Sequence, residues 1–288
     1  MHTPDGFITS WVCILYLLLA GGITSFSVLK LRRTLTKERL LGIAAISALV
    51  FGLQMLNFPI NPGTSGHFVG AALITLLYGP YAATVAIALV LGVQAFAFGD
   101  GGTLAFGFNV FNMAVVGSFT THIVFLSLRK SNASRFLASL ASVVAAAVSC
   151  SVGLWLGSGM ALLPVLSAMA STHFFIGIGE AMITLFSIAA LSGFAILSPK
   201  RISWKQVLLV GGAITVLAVP FASTLPDGLD SVSLRFGFSN HATRLWVTPF
   251  EGYAFLGLTG IAASMLVATI GMAGTFLTSL ALLRSVRP

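Results

Sequence analysis

An all-α polytopic membrane protein is the fold class this sequence predicts, and three observations predict it. Of 288 residues, 57% are hydrophobic and only 8% are charged. Soluble globular chains carry about 25% charged residues, which keep their surfaces hydrated. Mean hydropathy is +1.01, and apolar runs recur along the whole chain rather than in short core segments. A helix crossing a hydrocarbon core of about 30 Å needs about 20 mostly apolar residues, and several runs here approach or exceed that length. The expected setting is the cell inner (plasma) membrane, crossed many times.

Charge placement orders the spans. The formal net charge is +8, and eleven of the fifteen Lys and Arg fall in three clusters. These are Lys30, Arg32, Arg33, Lys37 and Arg39; then Arg129, Lys130 and Arg135; then Lys200, Arg201 and Lys205. Such clusters stay on the cytoplasmic side. They lack the aromatic interleaving that grips single-stranded nucleic acid, so the expected partner is membrane lipid and not nucleic acid. With the clusters inside, the chain reads as about nine transmembrane helices: 11–29, 40–57, 67–78, 81–97, 105–128, 136–156, 173–197, 206–222 and about 251–283. The amino terminus is then outside and the carboxyl terminus cytoplasmic. Five acidic residues (Asp5, Asp100, Asp227, Asp230, Glu251) fall in or beside external segments, Glu38 is internal, and Glu180 lies within a span. Residues 67–78 make only about 18 Å of helix, too short to cross. This short helix is therefore expected to begin part-way down, at His67, on the floor of a cavity open to the outside.

Residues 1–29 do not read as a cleaved signal peptide. Met1 to Ser10 carries no positive charge, and the basic cluster follows the apolar run instead of preceding it. The natural start is expected to be retained. Cys13 and Cys150 lie in spans and read as small apolar residues.

The chain begins Met1-His2-Thr3-Pro4-Asp5-Gly6. A retained Met1 leaves a free amine beside an imidazole. That amine, the His2 backbone nitrogen and the His2 ring form fused chelate rings around one metal, once the backbone nitrogen has lost its proton. Three in-plane nitrogens leave one corner open, and planar nitrogen sites suit Ni²⁺ or Cu²⁺. Pro4-Asp5-Gly6 is a turn sequence able to fold the terminus back into the protein. His67 follows the polar, Gly-rich stretch Asn61-Pro62-Gly63-Thr64-Ser65-Gly66 and is a candidate for the fourth nitrogen.

Together, Met1-His2-x-Pro4-Asp5-Gly6-Phe7, Asn57-Phe58-Pro59-Ile60, Gly63-Thr64-Ser65-Gly66-His67, and Gln94 with Phe98-Gly99-Asp100-Gly101-Gly102 resemble the CbiM/NikM family. These are the substrate-binding membrane components of nickel and cobalt energy-coupling-factor transporters. The likeness runs over about residues 1–197. It implies that Met1 through its amine, His2 through backbone and ring nitrogens, and His67 through its ring bind Ni²⁺ or Co²⁺ as the transported substrate. Thr3 stands where family members typically have Ile, at a position that is not a ligand.

His173 and Glu180 are seven apart, on one face of a helix. An ionisable group inside a span is a functional candidate by default, and these two are read either as lying along the metal's path or as a structural hydrogen bond between helices. Asn109 and Asn112 make a polar helix face expected to join helices, as do Gln54 and Asn57. Asp5 and Ser65, with Asn109 and Asn112, are also candidates for supporting the metal's ligands or lining its path. His122 reads as structural and His241 as solvated or a loose metal contact.

Residues 201–288 read as a separate two-span module following a seven-span component at 1–200. Its external loop carries Pro226-Asp227-Gly228-Leu229-Asp230, similar to the Pro-Asp-Gly-Leu-Glu motif of the small accessory subunit of the same transporters, with Asp230 replacing Glu. A natural fusion is implied. No G-x-x-x-x-G-K-[ST] phosphate loop occurs, so no ATP is expected to bind this chain in the P-loop manner. The resemblance implies a transmembrane energising subunit and two cytoplasmic ABC ATPases as partners, and no enzyme activity in this chain. The competing readings are an intramembrane metalloenzyme built on His67, His173 and Glu180, and a secondary metal carrier without ATPase partners.

Overall fold

The computed structural model describes residues 1–61, 63–193, 203–253 and 260–287. In chain order the elements are α1 (Ser10–Arg32), α2 (Lys37–Gln54), a hairpin of β1 (Asn57–Asn61) and β2 (Thr64–His67), α3 (Ala71–Tyr78) and α4 (Pro80–Val93). A π-helical turn, Gln94–Phe98, ends α4. Next come α5 (Phe106–Asn109), a second π turn (Val110–Val116) and α6 (Gly117–Ser127), which follow one another without a break. They are followed by α7 (Asn132–Ser158), α8 (Leu162–Gly193), α9 (Trp204–Ala218), α10 (Gly228–Phe236) and α11 (Ile261–Ser285).

Among the described residues, seven helical segments are long and apolar enough to cross a membrane: Ser10–Arg32, Pro80–Phe98, Phe106–Ser127, Asn132–Ser158, Leu162–Leu191, Trp204–Phe221 and Ile261–Ser285. Large apolar side chains such as Leu18 (70% exposed), Leu163 (74%) and Leu209 (76%) point outward, which suits hydrocarbon and not water. The chain is a helical, multi-pass membrane protein. The nine expected spans become seven by length and apolarity. α2 starts with Lys37, Glu38 and Arg39, and nearly all of its remaining residues are buried by neighbouring helices. α3, with 8 residues, is about 12 Å long.

Three further expectations are corrected. The short helix starts at Ala71, because His67 is taken into the hairpin, where it pairs with Asn57; the fold is therefore not wholly α. The helix holding His173 starts at Leu162, eleven residues earlier than expected, since the apolar stretch before His173 also forms helix. The last helix starts at Ile261, with Glu251–Tyr253 as a separate 3-10 turn before it. Pro62, Lys200, Arg201, the end of the 173–197 span and the boundary at 200/201 lie outside the described residues.

Helices α7 and α8 form an antiparallel hairpin, and α9 and α11 pack on α2. Glycines allow that close approach: Gly52 faces Thr215 and Met272, Gly211 faces Leu49, and Gly271 faces Phe51. The C-terminal helices thus lean on the same buried helix that leads into the His67 hairpin.

Candidate metal site

The first nine residues precede α1 and fold back into the bundle. Met1 is 3% exposed and Thr3 fully buried, so the main chain there needs internal partners. Asn109 supplies them: its Oδ1 accepts the Thr3 N–H at 2.8 Å and its Nδ2 donates to Thr3 O at 3.0 Å. Gly102 N–H also donates to Thr3 O, at 2.9 Å. Asp5 fixes the turn. Its carboxylate accepts from Thr103 N–H, Thr103 Oγ1 and Ala105 N–H at 2.8–3.1 Å, at the start of α5. Gly6 follows with φ +91°, where a Cβ would strike His241 O, so this position takes glycine.

These anchors bring Met1, His2 and His67 together. The Met1 amine lies 2.5 Å from His67 Nε2. The His2 and His67 rings stack, with centroids 4.9 Å apart and planes 12° from parallel. His67 Nδ1 lies 3.1 Å from Phe68 O; a carbonyl can only accept, so Nδ1 carries the proton and Nε2 presents its lone pair toward Met1. His2 Nδ1 sits 3.2 Å from Asp100 Oδ1, and Tyr253 Oη donates to the other Asp100 oxygen. Burial lowers the His2 pKa to about 4 against the pull of Asp100, so the ring is neutral at neutral pH and able to donate a lone pair.

The same amine also meets Asp227, at 2.6 Å from Oδ2. Burial opposes ionisation of Asp227, but the Met1 ammonium beside it outweighs this and holds the carboxyl well below the usual range. Asp227 Oδ1 accepts Asp230 N–H at 2.9 Å and caps α10. Burial and the Asp227 charge raise Asp230 to about 6. Asp227 and Asp100 are the two site neighbours whose roles the sequence left open. Their motifs were visible, but which partner each would meet was not.

The remaining candidates are placed as follows. Glu180 is fully buried on α8 and its two oxygens accept Val69 N–H at 2.7 Å and Gly70 N–H at 2.9 Å, tying down the main chain just after His67. His173 donates from Nδ1 to Met169 O at 2.8 Å, and its buried Nε2 has no partner among the described residues. Asn112 accepts from Ser149 Oγ at 2.6 Å, joining the second π turn to α7, as expected of a helix-joining amide. Asn109 departs from that expectation by holding the terminus instead. Ser65 binds the C-terminal segment through Leu225 O and Pro226 O. His241 is exposed. Both Glu180 oxygens are occupied by main-chain donors, which disfavours a hydrolytic centre of His67, His173 and Glu180. Among the described residues no group of three or more His, Cys, Asp or Glu is placed to hold a metal ion. The donors gathered here are two rings, a terminal amine and the adjacent main-chain nitrogen.

Known proteins share this arrangement of chain. A family model described as a cobalt uptake substrate-specific transmembrane region matches residues 2–196. A putative fused nickel transport protein, NikMN, of Archaeoglobus fulgidus is 32% identical over 96% of this chain and 98% of its own length. The cobalt transport protein CbiM of Anoxybacillus flavithermus is 32% identical over 64% of this chain and 79% of its own. The crystal structure of a truncated transition metal transporter superimposes with a TM-score of 0.61 at 30% identity, covering 67% of this chain and 99% of that one.

Proposed function

The chain belongs to the family of cobalt uptake substrate-specific transmembrane regions, and from that premise we propose that its amino terminus captures one Ni²⁺ or Co²⁺ ion from outside for import. It is a membrane component of nickel or cobalt transport. The proposed donors are the Met1 amine, the His2 backbone nitrogen, the His2 ring and His67 Nε2. The observation that carries the reading is the 2.5 Å approach of the Met1 amine to His67 Nε2, which sets two of the proposed donors side by side.

The His2 nitrogen that can close a ring with its own backbone nitrogen is Nδ1, which gives a six-membered ring; the Met1 amine closes a five-membered one. Nδ1 faces Asp100, so binding of a metal through Nδ1 would take His2 away from that carboxylate. A planar set of four nitrogens favours Ni²⁺ over Co²⁺. The energising step is assigned to a separate transmembrane subunit and two cytoplasmic ATPases, as the resemblance implies. The C-terminal part, from about residue 201, is proposed to be a fused accessory unit. The fused relative aligns with 96% of the chain and the truncated transporter with 67%, which supports that division.

The experiment is to lengthen the terminus. One residue placed before Met1 turns the primary amine into an amide and is expected to abolish high-affinity Ni²⁺ binding, as is acetylation. Retained affinity in a correctly folded, extended protein refutes the chelate. Mass spectrometry of the natural protein is expected to find Met1 present and unmodified.

A further inference from the structure

The Met1 amine has two partners, and the proposed chelate uses only one of them. The other, Asp227, comes from 226 positions away and is built into place. Ser223 N–H donates to Asn57 O at 2.7 Å and Ser65 N–H to Pro226 O at 2.9 Å. Ser65 Oγ donates to Leu225 O at 2.7 Å, and Thr64 Oγ1 bonds Ser231 Oγ at 2.9 Å. The segment 223–231 is therefore laced to the hairpin that presents His67. Gly228 packs so closely on His173 that a Cβ would lie 2.8 Å from its ring. One Asp227 oxygen is spent on capping α10, which turns the other toward the amine.

We propose that Asp227 is the counter-ion of the captured metal, supplied by the C-terminal segment. This rests on the amino-terminal chelate proposed above. Asp227 Oδ2 lies 2.6 Å from the Met1 amine and 3.5 Å from His67 Nε2, beside two of the proposed donors, so a cation held by those donors meets a carboxylate at once. A buried charge is tolerated when an opposite charge is fixed beside it, and the C-terminal segment fixes this one.

The test uses the full chain with a free Met1 and a carboxyl-terminal tag, titrated calorimetrically with Ni²⁺ in detergent. Asp227→Asn keeps the α10 cap and removes the charge; it is expected to lower Ni²⁺ affinity by about 10- to 100-fold, the usual effect of losing a partner of a metal ligand. Asp227→Glu, which keeps the charge, is expected to bind within about threefold of the natural protein. Asp227→Ala is expected to recover affinity when formate is added, while formate leaves the natural protein unchanged after correction for its own metal binding. That rescue reports a missing charge, which a merely structural clamp would not show. Natural affinity in Asp227→Asn, together with lost binding in His67→Ala, overturns the counter-ion role and leaves the chelate standing. Loss in Asp227→Asn without formate rescue of Asp227→Ala overturns it as well, reducing Asp227 to a clamp. Natural affinity in both Asp227→Asn and His67→Ala overturns the chelate itself.

Discussion

Replacing Asn109 by Ala tests whether the terminus must be held in place before it can bind metal. Asn109 is 3% exposed and Thr3 fully buried, so the substitution acts where water does not readily compensate. The Thr3 N–H has the Asn109 Oδ1 bond at 2.8 Å and is orphaned without it, which costs about 1–3 kcal/mol. Thr3 O keeps its bond from Gly102 N–H, so loss of the second donor, Asn109 Nδ2 at 3.0 Å, costs about 0.5–1.5 kcal/mol. The sum is about 1.5–4.5 kcal/mol against the docked terminus, or roughly 12- to 1,600-fold in its population. Apparent metal affinity falls in proportion to the docked fraction, up to that bound when docking is marginal. Asn109→Asp keeps the acceptor for Thr3 N–H and is expected to fall in between. Calorimetric titration with Ni²⁺, paired with amide exchange over residues 1–9, measures both quantities. If Asn109→Ala exchanges faster at the terminus yet binds Ni²⁺ as tightly as the natural chain, prior docking is not needed and the reasoning fails.

Four shorter predictions accompany it. Asn112→Ala removes the Ser149 bond and is expected to lower thermal stability by about 1 kcal/mol while metal affinity in calorimetry stays within about twofold. Glu180→Gln puts an amide NH₂ against one of two main-chain donors; it is expected to cost about 2–4 kcal/mol in thermal unfolding and to weaken Ni²⁺ binding through His67. Acid acts on His2: the free ring takes its proton below about 6.5, but the docked one only near 4. Docking is therefore at full strength above pH 6.5 and loses about 3 kcal/mol as pH falls to 4, which amide exchange of residues 1–9 would register as progressive release over that interval. Metal binding is expected to release more than one proton per ion at neutral pH, counted by calorimetry in buffers of different ionisation enthalpy; a count near zero would favour carboxylate ligands.

Asp5 shows how a carboxylate alternative loses ground. A metal cluster around Asp5 and Asp100 would need free oxygens, yet Asp5 accepts from Thr103 and Ala105 and Asp100 from Tyr253. In sequence, Asp5 and Asp100 both read as acidic residues of external segments. Their hydrogen bonds tell a turn anchor from a free carboxylate.

What the sequence determined is local in origin. The membrane class follows from the length and apolarity of single runs, each legible without its neighbours. The proposed amine–amide–imidazole donor set rests on Met1 and His2 being adjacent, since the chelate rings would close within two residues. His67 came from a motif whose glycines and position were visible, although its strand was not: a four-residue strand is defined by pairing with Asn57, and pairing is not a property of either segment alone. The tertiary structure decided the rest for the same reason. His173 and Glu180 share a helix face by spacing, but one carboxylate finds the Val69 and Gly70 amides while one imidazole finds Met169 O. Asp227 meets Met1 across 226 positions, and Asn109 holds Thr3 across 106. Long-range polar pairs are set by how helices pack, because a buried donor takes whichever acceptor packing leaves beside it.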